Sequence, residues 1–122
     1  NEEAAGLNSG VMMLQYTAAS LALENQSLAS PDSIHSLPSS GGKEDHNANS
    51  MTAARRAADV LENVQRIVVS ELYVAARGLD LRLAQRPDLH PGKGVKKAHD
   101  VIRGAIPFTP DDALWVKEVD QL

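Results

Sequence analysis

Cysteine is absent from the 122 residues, and aromatic side chains make up only 3%. The first absence removes any disulfide framework, thiolate nucleophile or cysteine-ligated metal cluster. The second argues against a β-sandwich core, because Phe108, Trp115, Tyr16 and Tyr73 are the only large rings. A core made from Ala, Leu, Val, Ile and Met is the composition of closely packed helices. An excess of positive charge is also missing: 12 Lys+Arg stand against 16 Asp+Glu, scattered along the chain, so a nucleic-acid backbone is not an expected partner. No apolar run reaches the roughly 18 residues of a membrane span, since Gln15, Thr17 and Ser20 interrupt Val11 to Leu23. Asn1 to Gly10 has two glutamates and no positive leader region. The expectation is a soluble, cytoplasmic, all-α chain.

What is present is helical in pattern. A first helix is expected from about Gly10 to Ala29, capped by Asn8 or Ser9 and stopped before Ser30-Pro31. Apolar residues fall on nearly every side of its first three turns, as in a helix surrounded by protein. Residues 31–50, with Pro31, Pro38, Gly41 and Gly42 and no helical or strand period, read as a long loop. A second helix is expected over 51–78, with Gly78 as its C-cap and Arg77 facing the negative end of the helix dipole. Its stripe Ala57, Leu61, Val64, Val68, Leu72, Ala75 and Leu79 predicts a buried face. Arg55, Arg56, Asp59, Glu62, Asn63 and Arg66 fall opposite, on the wet side.

From Thr52 to Arg77 this helix would be about 39 Å long, against a radius of gyration of about 14 Å for a compact chain of this size. An elongated helical bundle follows, with more apolar surface than the chain itself can cover. Residues 79–122 read as a connector and two short helices. One lies around Val95 to Ala105; the other opens at Thr109-Pro110-Asp111-Asp112 and leads to Trp115 and Val119.

The four histidines, His35, His46, His90 and His99, have no metal-ligand spacing, and no metal is expected; His99 reads as a surface residue. Gly92-Lys93-Gly94 and Gly41-Gly42-Lys43 lack the spacing of a phosphate loop. The remaining candidate is Glu44-Asp45-His46, two acids and an imidazole after a flexible Gly-Gly in a loop between two apolar helices. Such a carboxylate can be tuned to move a proton or grip a cation. From the residues alone, a solvated loop in which Asp45 or His46 caps a nearby helix is the favoured reading.

The phrases GLNSG (Gly6 to Gly10), MLQYTAASLALENQSLASP (Met13 to Pro31), DSIHSLPSSGGKEDHNANSM (Asp32 to Met51), TAARRA and LENVQRIVVSELYVAARGLDLR (Leu61 to Arg82) occur in that order. Together they resemble the C-terminal part of the histidine ammonia-lyase branch of the aromatic amino acid lyase family. The resemblance implies a fragment of a larger, mainly helical homotetramer whose active sites draw on several subunits. It implies elimination of ammonia from an aromatic amino acid to a trans-unsaturated acid, using a methylidene-imidazolone electrophile formed from an internal Ala-Ser-Gly. An aminomutase of the same family is the alternative, and a freestanding helical interaction module the reading from another class.

This chain has no Ala-Ser-Gly: Ala19-Ser20 precedes Leu21 and Ala29-Ser30 precedes Pro31. The electrophile is therefore expected from outside these residues, and the chain alone is expected to be inactive. By position Glu44 matches the acid of the histidine-lyase segment Ser-Ala-Asn-Gln-Glu-Asp-His, which implies contact with the amino acid substrate. Lys43, replacing the family amide, is implied as a ligand of the substrate carboxylate or a partner of Glu44, with Asp45 and His46 in support. Asn47-Ala48-Asn49 departs from the family pattern by about two extra residues before Ser50-Met51. The implied partners are the rest of the polypeptide and the other subunits.

Overall fold

In the computed structural model, residues 9–112 and 122 are described. Among these residues there are three α-helices: α1 (Met12–Leu28), α2 (Ser50–Gln85) and α3 (Lys93–Ala105). Two single 3-10 turns, Asp32–His35 and Ser40–Gly42, lie in the loop between α1 and α2. No strand occurs among the described residues, as the composition required. None of their helices is long and apolar enough to cross a membrane.

α1 ends where Pro31 demands, with the Ala29 N–H closing on Asn25 O. α2 departs from expectation by running seven residues past Gly78. A glycine interrupts a helix only if something else ends it there, and Gly78 keeps a right-handed conformation. At 36 residues α2 is about 54 Å long. Its added turns present Asp80 to α3: His99 Nε2 and Arg103 Nε each approach a different Asp80 oxygen at 2.7 Å. His99 is therefore a half-buried strut between helices and not the surface residue its neighbours Lys97 and Asp100 suggested. Beyond α2, Arg86 and Asp88 form an exposed bidentate pair, and that hydrogen bond holds the Asp88 carboxyl below the usual carboxylate range.

α1 runs antiparallel to α2, since residue 14 lies near 73 and 25 near 63, and α3 packs on the C-terminal half of α2 around Asp80. The core is small. Leu14, Tyr73 and Ile106 close on one another, with Val11 and Val74 against them. Ile106 reaches this cluster because the chain turns back after α3. Arg77 Nη1 donates to Thr109 O and its Nη2 to Pro110 O at 2.9 Å, with the guanidinium over Phe108. Arg77 thus anchors the returning segment instead of completing a C-cap. The expected last helix does not open at Thr109 either: residues 107–112 are non-helical, and Asp112 accepts from the N–H groups of Ser9 and Gly10, both at 2.9 Å. The part of that expectation resting on Trp115 and Val119 lies outside the described residues.

The face of α2 that packs within the chain is not the apolar stripe. Arg56, Asn63, Ser70 and Arg77 recur every seven residues, a spacing that drifts only about 20° per step around a helix. The buried residues of α2 are Asn63, Ser70, Tyr73 and Ala76; of the polar line, Arg56 and Asn63 bond to α1 and its end, Ser70 Oγ donates to Arg66 O in its own helix, and Arg77 holds the segment after α3. Arg56 Nη1 donates to Ser30 O at 2.7 Å, and Asn63 Nδ2 donates to Asn25 Oδ1 at 2.9 Å and Glu24 Oε2 at 3.1 Å. Asn63, expected on the wet side, is therefore buried. The stripe on the opposite side stays open: Leu61 is 58% exposed, Val64 42%, Val68 45% and Leu72 43%. α1 is open as well, with Met12, Met13, Tyr16 and Leu23 exposed. Large apolar side chains thus lie uncovered on both α1 and α2.

Removal of the Asp80 carboxylate should loosen α3 selectively. Its side chain is 19% exposed, with Arg103 at 14% and His99 at 18%. Asp80→Ala leaves Arg103 without its carboxylate, holding only Ile106 O and the Tyr73 and Phe108 rings, a loss of about 1–3 kcal/mol after allowing for partial solvation. Amide hydrogen exchange should quicken across Lys93–Ala105 while the middle of α2 keeps its protection. Unchanged exchange in α3 would remove the strut.

Candidate active-site loop

Residues 31–49 leave the end of α1 and return to the start of α2, so both ends of the loop are fixed on the α1/α2 pair. At its base, Arg56 Nη1 lies 3.0 Å from Asp32 Oδ1, and Asn49 Nδ2 donates to Asp32 O at 3.1 Å. Asp32 is buried there, under the first turns of α2.

The tip is built by backbone geometry. Ser40, Gly41 and Gly42 have φ of 55°, 66° and 83°. Three successive left-handed residues are strongly disfavoured for side chains with Cβ, and glycine at two of them makes the turn accessible. The turn folds Glu44 back on Ser39 as an isolated antiparallel bridge. Ser39 N donates to Glu44 O at 2.9 Å, and Glu44 N to Ser39 O at 3.3 Å. Ser39 Oγ then lies 3.1 Å from Glu44 Oε2 and 3.3 Å from Asn47 Oδ1. Asn47 is itself fixed, its Nδ2 donating to Leu37 O at 2.6 Å and its N–H to Ser36 Oγ at 2.8 Å.

Glu44 is thus an exposed carboxylate on a braced turn, with its other oxygen available. Lys43, Asp45 and His46 share the exposed tip, and their side chains form no hydrogen bond or ion pair with described residues. Lys43 does not pair with Glu44, whose carboxylate instead meets Ser39 Oγ. Neither Asp45 nor His46 caps a helix; α2 begins at Ser50, with Asn49 at its N-cap and no side-chain cap. The bracing residues Ser39 and Asn47 were not foreseen from the sequence. The only available signal was that small polar residues flank the Gly-Gly and favour local side-chain bonds to backbone. No cluster of three His, Asp or Glu able to hold a metal occurs among the described residues.

A groove of about 570 Å³ lies between α1 and α2 and is lined by Val11, Leu14, Ala18, Ile67, Val74 and Ala75. A second, of about 470 Å³, lies between α2 and α3 around Leu72, Leu79, Val95 and Ile102. Neither touches residues 31–49.

The site is thus an acid-bearing loop on a long-helix scaffold with open apolar faces and no strand among the described residues. The comparisons give its family: the aromatic amino acid lyase model matches residues 1–104, and the chain belongs to that family. It is 43% identical over 120 residues to the histidine ammonia-lyase of Gloeobacter violaceus, covering 98% of this chain and 23% of that protein. The crystal structure of histidine ammonia-lyase from Trypanosoma cruzi superposes with a TM-score of 0.86 at 36% identity, covering 95% of this chain and 22% of that one. The phenylalanine aminomutase of Pantoea agglomerans also gives 0.86, at 27% identity over 96% of this chain and 22% of that one. The chain spans less than a quarter of the length of these relatives.

Proposed function

We propose that the chain is the C-terminal portion of a histidine ammonia-lyase-type carbon–nitrogen lyase, supplying one active-site loop and much of the core of a homotetramer. The observation that carries this reading is Glu44, held outward on a braced turn within the span matched by the lyase family. Elimination of ammonia from an amino acid needs the amino group held as a leaving group and a weakly acidic proton removed. A fixed carboxylate suits either the binding of a cationic ammonium or imidazole group or the handling of that proton. Lys43, unpaired at the same tip, is suited to the substrate carboxylate, with Asp45 and His46 beside it in support.

The methylidene-imidazolone of such lyases is built from Ala-Ser-Gly, and the residues present do not fit it, because no such tripeptide occurs here. That electrophile comes from elsewhere in the enzyme, and no step is assigned to it from this chain. These 122 residues alone are expected to release no ammonia from histidine.

The experiment is product analysis of the complete enzyme on histidine, following ammonia and the ultraviolet absorbance of the conjugated acid. Release of both in equal amounts supports the lyase reading, whereas failure to act on any aromatic amino acid contradicts it. The structural likeness to an aminomutase keeps that second reading, for which a β-amino acid is the product. Higher identity to the histidine lyases favours simple elimination.

A further inference from the structure

Ser39 Oγ sits between two oxygens, Glu44 Oε2 at 3.1 Å and Asn47 Oδ1 at 3.3 Å. A serine hydroxyl carries one hydrogen, so it donates to one of them at a time. Asn47 cannot resolve the conflict by turning its amide, because its Nδ2 is engaged by Leu37 O at 2.6 Å. Two arrangements satisfy the chemistry. With Glu44 ionised, Ser39 donates to the carboxylate. With Glu44 carrying a proton, the carboxyl O–H donates to Ser39 Oγ and the serine hydrogen swings to Asn47 Oδ1. The proton stays on Glu44, the hydroxyl only rotates, and no covalent bond changes.

We propose that Ser39 is the positioning residue of Glu44, and that Asn47 serves as the alternate acceptor that lets Ser39 grip the carboxyl group in both of its protonation states. The inference rests on the reading of Glu44 as a residue that meets the substrate. Nothing else among the described residues hydrogen-bonds the Glu44 side chain. The other charged or titratable groups of the loop are Asp32, engaged by Arg56 at the base, His35 at the end of the first 3-10 turn, and Lys43, Asp45 and His46 at the tip, none of which bonds to Glu44. An exposed glutamate without this brace would sample several rotamers, and misplacement of a reacting group by an ångström is costly to rate.

The test uses the complete assembled enzyme and a double-mutant cycle. Ser39→Ala should lower kcat by about tenfold, the usual worth of one hydrogen bond to a charged group, with KM changed far less. Ser39→Thr, which keeps the hydroxyl on extended backbone, should retain turnover within about twofold. In a Glu44→Gln background, Ser39→Ala should cost nothing more, because its effect passes through the carboxyl group. Losses that multiply, or a threonine variant as slow as the alanine one, would overturn the assignment by showing a role in loop folding alone. Should Ser39→Ala fail to assemble, the Ser39→Thr result decides by itself. Full turnover in Glu44→Gln would overturn the site reading beneath it, whereas impaired Glu44→Gln with unimpaired Ser39→Ala would overturn only the role of Ser39.

Discussion

Glu44→Ala in the complete enzyme is expected to lower turnover by about a hundredfold or more, within the range of a positioned acid or base. Subunit association should be untouched. The side chain is exposed at the turn and its one partner is Ser39, so its removal leaves no buried group stranded. The bridge to Ser39 uses backbone atoms and should persist without the carboxylate. Steady-state kinetics with a mass measurement on the same sample separates the two effects. Unchanged kinetics would take Glu44 out of the site.

Val68→Asp is expected to do the reverse, breaking the assembly before it touches the loop. Val68 lies in the uncovered stripe with Leu61, Val64 and Leu72, on the side of α2 turned away from α1. A carboxylate placed under a partner helix without a counter-charge costs about 3 kcal/mol in each copy, and a symmetric oligomer repeats that cost in every subunit. Light scattering should show dissociation to smaller species. Arg66→Ala, which removes only an exposed pair with Glu62, should leave the mass unchanged. An intact oligomer in Val68→Asp would mean that the stripe faces solvent.

The parts of the fold set by local chemistry were legible in the sequence. Pro31 stops α1, the 3.6-residue period announces α2, and the helix expected around Val95 to Ala105 is α3, which starts two residues earlier at Lys93. What depended on distant partners was not. Gly78 looks like a helix end until Asp80 is seen bound to His99 and Arg103, which makes continuation worthwhile. Arg77 looks like a dipole partner until the backbone of Thr109 and Pro110 returns beneath it. The apolar stripe of α2 reads from its period as the buried face, yet within the chain the buried residues are Asn63, Ser70, Tyr73 and Ala76. Periodicity identifies which residues share a side, but not whether their cover comes from the same chain. The reading of α1 as a helix surrounded by protein meets the same limit, since only Leu14 is buried here.

At the candidate site, Glu44 stood out through resemblance and through its place after Gly41-Gly42. The brace did not, because Ser39 and Asn47 are eight residues apart and of types common in any loop. Their significance depends on a turn of three left-handed residues, a feature of conformation that composition only hints at.

The most direct measurement is a crystal structure of the complete enzyme with a non-reactive amino acid analogue bound. The expected result places the Glu44 carboxyl group within hydrogen-bond distance of the analogue, Ser39 still against its Oε2, and the Leu61-to-Leu72 stripe covered by other helices. An analogue seated elsewhere, with Glu44 facing open solvent and that stripe bare, would contradict it.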